Sequence, residues 1–303
     1  TMKKPILLFL ITLLLPGLAA QYLEVLSVDK QEFPVAGGYF YPQFGHDGSY
    51  LLLTSANYSG LKKWDLNTRL MEVLTAEPGA GYAARLSEDG GELVFTKIEL
   101  VNKLRHNSLH RISLATGEKQ KLTEPGREAI TPAFAGKRVL YVKAGKLQRG
   151  AVKQAEIKSM VTIENRKMVV YSSAGRKIID PLGGDASYIW PSISPDGTKL
   201  LFTAAGRGTY VSTLSGKNAV ALGKLNAPVW LSNTWVVGMD DKDDGGRVVE
   251  SVLWLVSADG HKKQQLTTAS DFVAMYPAVS PGGNQIAFNT DKGEVYILNI
   301  KLR

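Results

Sequence analysis

Short apolar runs separated by turn residues fill the chain after residue 20, and they recur as one unit. The unit has an aromatic residue, Pro or Ala, two further residues, a polar turn with glycine, and an apolar strand, and its copies at residues 131 and 227 are eroded. Asp-Gly and Gly-Gly turns accept positive φ at little cost, so each copy is predicted to be a β-hairpin. We call this unit the anchor hairpin. The six copies begin at Tyr41, Tyr82, Thr131, Trp190, Ala227 and Tyr276.

A second hairpin follows each anchor hairpin. It consists of a β-run, a turn, and a second β-run that ends in Leu-Thr or Leu-Gly. Five copies are complete, at residues 61–75, 108–123, 168–183, 209–223 and 252–267, and a sixth begins at residue 294 with a single strand. Two hairpins give four strands, which is the blade of a β-propeller. The pattern therefore predicts an all-β fold, a six-bladed β-propeller with four-stranded antiparallel blades.

The segment 23–33 precedes the first anchor hairpin at the spacing at which a second hairpin precedes the later ones. We therefore expect this N-terminal strand to pair with the C-terminal blade and close the ring, which removes the exposed sheet edges of an open ring. A seven-bladed alternative would divide the long stretch 132–190 in two. We favour six blades because that stretch has one clear second hairpin, and we interpret 143–159 as an insertion.

The copies that begin at Pro191 and Pro277 read Pro-x-x-Ser-Pro-Asp/Gly-Gly before an apolar strand. This chain thereby resembles the TolB-like propeller repeat family, and also the propeller domain of prolyl oligopeptidase-type peptidases. The resemblance implies a six-bladed ring in an envelope or secreted protein that serves as a binding platform. We expect neither the N-terminal domain of TolB nor the catalytic domain of those peptidases.

The first twenty residues are typical of a secretory signal peptide: two lysines, a ten-residue run at 6–15 that is apolar except for Thr12, then Pro-Gly-Leu-Ala-Ala. We interpret 1–20 as this peptide and 21–303 as a single propeller domain of an exported bacterial protein, periplasmic or secreted. The alternative is an uncleaved membrane anchor. The chain has no cysteine, which excludes disulfides and thiolate chemistry. A net charge of +8 is modest for nucleic-acid binding in an exported protein. We expect a monomer with no transmembrane span after cleavage.

Motifs of catalysis are missing from the sequence. There is neither a Gly-x-Ser-x-Gly elbow nor a His-Glu-x-x-His zinc motif. We expect no cofactor. Oxygen-rich loops with glycine can hold Ca²⁺, so the acidic stretch 240–246 offers a weak metal candidate in Asp241, Asp243 and Asp244. A solvated acidic connection is the alternative interpretation of that stretch.

Equivalent repeat positions surround the ring axis, so the aromatic residues that open the anchor hairpins are predicted to form a collar at one channel mouth. Aromatic rings there suit sugar faces, peptide side chains or cations, and packing between blades is the alternative. Residues of the crossover loops add to the collar. The candidate ligand-binding residues are Tyr41, Tyr82, Trp190, Tyr276, Arg127, Tyr188 and Asp271.

The loops beside that mouth predict a polarised rim. Lysines and arginines gather at 97–105 and 143–158, and the acidic stretch at 240–244 opposes them. We therefore expect a non-catalytic propeller that presents one face to an envelope protein, peptide or glycan. The alternative is a polysaccharide-active hydrolase or lyase with carboxylates in the central channel.

Overall fold

Seven antiparallel sheets surround a central axis in the computed structural model, which describes residues 21–303. The predicted signal peptide, 1–20, lies outside the described residues. Within the described range no helix is long and apolar enough to cross a membrane. The ring of antiparallel sheets confirms the predicted propeller, but the number of sheets is seven, not six.

The N-terminal half of the chain forms the first four sheets. Strand β1 (Leu23–Lys30) belongs to the last sheet of the ring. The first sheet contains β2 (Phe40–Phe44), β3 (Tyr50–Thr54), β4 (Leu61–Asp65) and β5 (Met71–Thr75). The second contains β6 (Arg85–Leu86), β7 (Glu92–Val101), β8 (Leu104–Ser113) and β9 (Lys119–Lys121). The third contains β10 (Ile130–Ala135), β11 (Arg138–Lys143) and β12 (Lys146–Gln148), and the fourth β13 (Met160–Glu164), β14 (Lys167–Ser172) and β15 (Gly175–Ile179).

The C-terminal half forms three sheets of four strands. The fifth sheet contains β16 (Tyr188–Ile193), β17 (Lys199–Ala204), β18 (Gly208–Thr213) and β19 (Val220–Gly223). The sixth contains β20 (Asn226–Trp230), β21 (Trp235–Asp243), β22 (Val248–Ser257) and β23 (Lys263–Gln265). The seventh contains β24 (Met275–Val279), β25 (Gln285–Asn289) and β26 (Val295–Leu302), with β1 as its outermost strand.

Each interface between neighbouring sheets has its own cluster of buried apolar side chains, so the core is a circle of seven contacts. From the interface of the first and second sheets round to that of the seventh and first, representative buried residues are Leu52, Leu109, Val142, Phe202, Val236, Phe288 and Trp64. Removing apolar surface from water stabilises the ring at every one of these interfaces. The ring is therefore packed without any disulfide.

The N-terminal strand closes the ring as predicted. β1 pairs antiparallel with β26, from Leu23 opposite Leu302 to Lys30 opposite Tyr296, with one irregularity near Val25. Pairing the two ends within one sheet leaves the C-terminal strand inside a sheet instead of at an edge.

The extra sheet arises in the long stretch 132–190, where the seven-bladed alternative divides it. The third sheet has no fourth strand after β12, and residues 149–159 follow it with a short 3-10 helix, Gln154–Glu156. Val152 and Ile157 of this connection are buried against Leu140. The predicted insertion at 143–159 is thus the end of the third sheet, including β12, and the connection that leads to the fourth sheet.

Strand β13, the innermost strand of the fourth sheet, runs against the direction of the other six innermost strands. The connection 149–159 stays at the face of the anchor-hairpin turns, because its Lys158 pairs at 2.8 Å with Glu88 in the turn of the second sheet. The turn of the third sheet lies at the same face, where Lys137 pairs with Asp89 at 3.0 Å. We call this face the turn face. The opposite face, which carries the connections 76–84, 122–129, 180–187, 224–225 and 266–274, is the crossover face.

At the end of β13 the chain has reached the crossover face. There the backbone N–H of Tyr188 donates to the carbonyl of Arg166 at 3.1 Å, just as Gly81 of an earlier crossover donates to Tyr58 at 3.0 Å. The side chains of Thr131 and Thr162 are hydrogen-bonded at 3.0 Å, which joins β13 to the innermost strand of the third sheet. The outermost strand of the third sheet and the usual innermost strand of the fourth are therefore both missing, and with them the seventh anchor hairpin.

Candidate binding site at the channel mouth

A one-residue bulge interrupts the innermost strand in the first, fifth, sixth and seventh sheets. The residue at each bulge has a left-handed backbone: φ is 53° at Tyr41, 50° at Trp190, 43° at Ala227 and 54° at Tyr276. A left-handed residue with a side chain costs about 1–3 kcal/mol, and bulges re-aim side chains near functional sites. Repetition of this geometry around the ring fixes where the opening residues of the anchor hairpins point.

The second sheet has the same left-handed residue, but it is Ala83, with φ of 56°, and not Tyr82. The repeat register assigned to this copy from the sequence is therefore wrong by one residue. Tyr82 lies in the turn just before the innermost strand, and 56% of its surface is exposed.

Three of the four predicted collar residues meet through a fourth tyrosine. The rings of Tyr41 and Tyr58 stack with centroids 4.2 Å apart, and the Tyr41 and Tyr276 centroids are 4.5 Å apart. Tyr58 in turn meets Tyr82 edge to face at 5.4 Å. We call Tyr41, Tyr58, Tyr82 and Tyr276 the tyrosine cluster. It joins the seventh, first and second sheets at the crossover face.

Side chains from the preceding sheet hold the bulges of two cluster members. The N–H of Tyr41 donates to Oδ1 of Asn289 at 2.9 Å, and Asn289 is fully buried. The N–H of Tyr276 donates to Sδ of Met239 at 3.4 Å. In both cases the acceptor lies on the second strand of the neighbouring sheet. The rings are thus positioned by contacts between sheets, on a rigid part of the scaffold.

Burial keeps the phenols of three cluster members protonated. It raises the pKa of Tyr41 to about 12, with a smaller contribution from the Tyr58 hydroxyl. Burial also raises the pKa of Tyr276 to about 12, helped by the neighbouring Tyr41 and the carboxylate of Asp241. The pKa of Tyr58 is raised as well, chiefly by burial. Tyr41, Tyr58 and Tyr276 therefore present neutral hydroxyl donors and aromatic faces at physiological pH.

Arg85, on the innermost strand β6, is the cation beside this cluster. Its surface is exposed to solvent, yet surrounding protein desolvates the guanidinium enough to lower its pKa, while Tyr82 opposes that shift. A side chain inside a water-filled channel has both properties. Its Nη1 donates to the carbonyl of Ala84 at 2.9 Å. Among the described residues no carboxylate lies within ion-pair distance of this guanidinium. A desolvated cation without a carboxylate partner is a place where an anion would bind.

The remaining predicted ligand-binding residues lie apart from the cluster. Trp190 is 39% exposed, and it stacks on no other ring in the described part of the chain. Tyr188 is buried in the core against Phe202, and its hydroxyl donates to Asp180 at 2.5 Å. Arg127 and Asp271 are exposed in the crossover loops, as the sequence predicts.

The three aspartates of the calcium candidate do not converge. Asp241 is buried, and its Oδ1 accepts a hydrogen bond from Nδ2 of Asn226 at 2.7 Å. Asp243 and Asp244 accept backbone N–H groups of the turn 245–247, each at 3.0 Å. Within 21–303, no three His, Cys, Asp or Glu side chains are grouped so that they could hold a metal ion.

The charges of the predicted rim are divided between the two faces. Lys97 and Lys143 lie on the crossover face, paired with Glu77 at 3.1 Å and Glu128 at 3.9 Å. The lysines and arginine of the connection 149–159 lie on the turn face, away from the channel mouth described here. Around 240–247 the acidic residues face Lys224, Lys242 and Arg247. The two sides of the rim are therefore mixed in charge.

No protein-family model matches the chain, and no curated protein matches its sequence. Solved structures do resemble it. TolB from Acinetobacter baumannii is 16% identical with a TM-score of 0.52, over 79% of this chain and 56% of that TolB chain. This chain thus spans little more than half the length of that protein.

Two further structures cover more of the ring. An oligogalacturonate lyase in complex with manganese is 14% identical with a TM-score of 0.51, over 88% of this chain and 78% of the lyase. The Cps50 (Swd1) β-propeller domain of Myceliophteria thermophila is 13% identical with a TM-score of 0.56, over 91% and 100%. These similarities confirm a TolB-like propeller fold and extend no further than the fold.

Proposed function

We propose that this protein is an exported binding propeller that captures an acidic peptide segment of an envelope protein at the crossover-face mouth of its channel. Export rests on the predicted signal peptide. The observation that carries the proposal is the desolvated Arg85 guanidinium, which lies beside Tyr82 and has no carboxylate within ion-pair distance among residues 21–303. A peptide carboxylate can pair with Arg85 while neighbouring groups pack on the exposed ring of Tyr82.

Charge-assisted hydrogen bonds of this kind are worth about 1.5–3 kcal/mol each, which corresponds to about 10–100-fold in affinity. Backbone strain at Tyr41 and Tyr276 supports the same assignment, since strained positions held by the scaffold are typical of binding sites. A rigid, pre-organised cluster loses little entropy when it binds a flexible segment.

The test uses an array of synthetic peptides of graded charge, followed by fluorescence anisotropy with the peptides that bind. Acidic peptides should bind, and Arg85→Gln should weaken them about 10–100-fold. Tyr82→Ala should weaken them with no change in the urea midpoint, because its ring is exposed. The matched control is Arg127→Gln, an exposed arginine on the same face, which should leave affinity unchanged. Equal binding of basic and acidic peptides, or full affinity of Arg85→Gln, would overturn the proposal.

The alternative of a polysaccharide-active hydrolase or lyase needs carboxylates in the channel that can act as acid and base. Asp241 is a carboxylate whose charge acts on the Tyr276 phenol, and its Oδ1 accepts a hydrogen bond from Asn226. Incubation with oligogalacturonate and neutral glycans, followed by chromatography of the products, distinguishes the two functions. Turnover that is lost in Asp241→Asn would replace the binding proposal with an enzymatic one.

A further inference from the structure

The hairpin of β7 and β8 stands out from the crossover face. These strands have ten residues each, whereas β3 and β4 of the first sheet have five. Ile98 is still held to the crossover, because its N–H donates to the carbonyl of Pro78 at 2.8 Å, and Asn107 is bridged to Gly126. Three residue pairs lie beyond this level, so the tip projects by about 10 Å.

The tip is a tight turn with apolar side chains on both of its faces. Asn102 and Lys103 form the two-residue turn with φ of 52° and 63°, as a tight type I′ hairpin requires. Val101 and Leu104 are paired on one face and are 40% and 45% exposed. Leu100 lies on the other face and is 74% exposed. Apolar groups on both faces suit an environment that surrounds the tip, since a flat docking surface would cover one face and leave the other in water.

Basic side chains accompany the apolar tip. Lys103 is in the turn itself, and Arg105 is paired with Leu100 across the strands, its Nε bonded to Oδ1 of Asn107 at 3.1 Å. Among the described residues, neither cation lies within ion-pair distance of a carboxylate, and Glu99 is the nearest acidic residue along the hairpin. Long basic side chains place their charge at the headgroups while apolar neighbours enter the acyl boundary.

We propose that the tip of the β7–β8 hairpin inserts into the interface of an anionic lipid bilayer and holds the ring against the membrane. The apolar part of a bilayer interface is about 5–10 Å deep, which matches the projection of the tip. Attraction to anionic headgroups contributes about one additional factor of five in affinity for each basic residue near the surface. This inference does not depend on the proposed function, because none of its residues belongs to the tyrosine cluster.

Vesicle co-sedimentation tests the proposal directly. One set of vesicles contains phosphatidylethanolamine with phosphatidylglycerol, and the other phosphatidylcholine alone. The protein is used as the full chain and after removal of residues 1–20, so that binding through the apolar run at 6–15 is measured separately. The protein lacking 1–20 should bind the anionic vesicles, and salt should weaken that binding. Leu100→Ser with Leu104→Ser should reduce it about tenfold or more, and Lys103→Gln about fivefold.

Val249→Ser is the matched control. Val249 is 46% exposed on β22, in the other long hairpin of the same face, which carries acidic residues. This variant should bind vesicles as the unmodified protein does. Val101→Trp reports insertion, because its fluorescence should shift to shorter wavelength with anionic vesicles and be quenched by lipids brominated in the acyl chains.

Two results would overturn the proposal. One is the absence of vesicle binding by the protein lacking 1–20. The other is binding that the double serine variant retains in full, which would assign it to charge elsewhere on the ring. If the double variant instead loses capture of a protein partner while vesicles never bind, the tip is a protein-docking element. All four substituted side chains of the tip are exposed, so loss of folding does not explain a negative result.

Discussion

The side-chain amide of Gln264 is hydrogen-bonded to both the N–H and the carbonyl of Leu23. Its Nε2 donates to the Leu23 carbonyl at 2.6 Å, and its Oε1 accepts the N–H groups of Leu23 at 2.9 Å and of Tyr22 at 2.7 Å. Gln264 lies on the outermost strand of the sixth sheet, and Leu23 begins the outermost strand of the seventh. One side chain therefore ties the start of the closing strand to the neighbouring sheet.

Replacing Gln264 by alanine should loosen this closure. It removes three hydrogen bonds to backbone groups, and each is worth about 1 kcal/mol, so we expect a loss of about 2–3 kcal/mol in the free energy of unfolding. Urea denaturation measures the loss. Gln265→Ala is the control, because the amide of this exposed neighbour bonds only the Thr267 carbonyl, and it should cost about 1 kcal/mol or less. Equal losses in the two variants would contradict a special role for Gln264.

Glycine at two adjacent positions should have effects of opposite sign. Ala83 has a left-handed backbone, so Ala83→Gly relieves a strain of about 1–2 kcal/mol and should raise the free energy of unfolding by about 0.5–1 kcal/mol. Ala84 is buried between the first two sheets, so Ala84→Gly should lower it by about 1 kcal/mol. Thermal unfolding of the pair tests the register, and destabilisation by both would show that Ala83 is not strained.

The connection between the third and fourth sheets should contribute to stability as an ordinary core element does. Ile157 is buried against Leu140 and Val152, so Ile157→Ala should cost about 2–4 kcal/mol. Lys158→Ala, at the next position, removes an exposed ion pair with Glu88 and should cost less than about 1 kcal/mol. Urea denaturation compares the two variants. A small effect at Ile157 would mean that the connection is only an appended loop.

Alkaline titration should detect the enclosed tyrosines. The pKa of Tyr41 and Tyr276 is about 12 in the folded protein, against an ordinary value of 10.0. Between these values the unfolded chain loses its phenol protons first, so stability that is fully present below pH 10 declines as pH rises toward 12. Phenolate absorbance should therefore include a late phase, and Tyr276→Phe should reduce its amplitude. An unchanged late phase in that variant would place Tyr276 in open solvent.

The sequence predicts the propeller, its closure and most hairpins because those depend on local turn chemistry and strand periodicity. It predicts six sheets because the anchor hairpin marks an innermost strand followed by a second strand. The fourth sheet begins at β13, which runs in the opposite direction and has no such hairpin. The count of second hairpins is also six, because the third sheet lacks its outermost strand and therefore has no complete second hairpin. The two counts therefore share one error.

The candidate site is only partly visible in the sequence. Tyr41 and Tyr276 are found from repeat position, Tyr82 is included through a register that is wrong by one residue, and Tyr58 lies in a loop between the second and third strands of the first sheet. A search of those loops for aromatic residues would have found it. Arg85 has no sequence signal, because its importance depends on enclosure by neighbouring sheets and on the absence of a nearby carboxylate. The position of Tyr188 at the end of a crossover loop predicts a ligand contact, whereas packing places its ring in the core.

The reversed direction of β13 implies a parity rule for rings of this kind. Losing a single strand would leave the chain at the opposite face of the ring, and every later sheet would start from the wrong face. Losing two consecutive strands, one outgoing and one returning, brings the chain back to the end from which it left, and the later sheets keep their places. The number of repeat copies in a sequence can thus be smaller than the number of sheets in the folded ring. A repeat count therefore gives the minimum number of sheets.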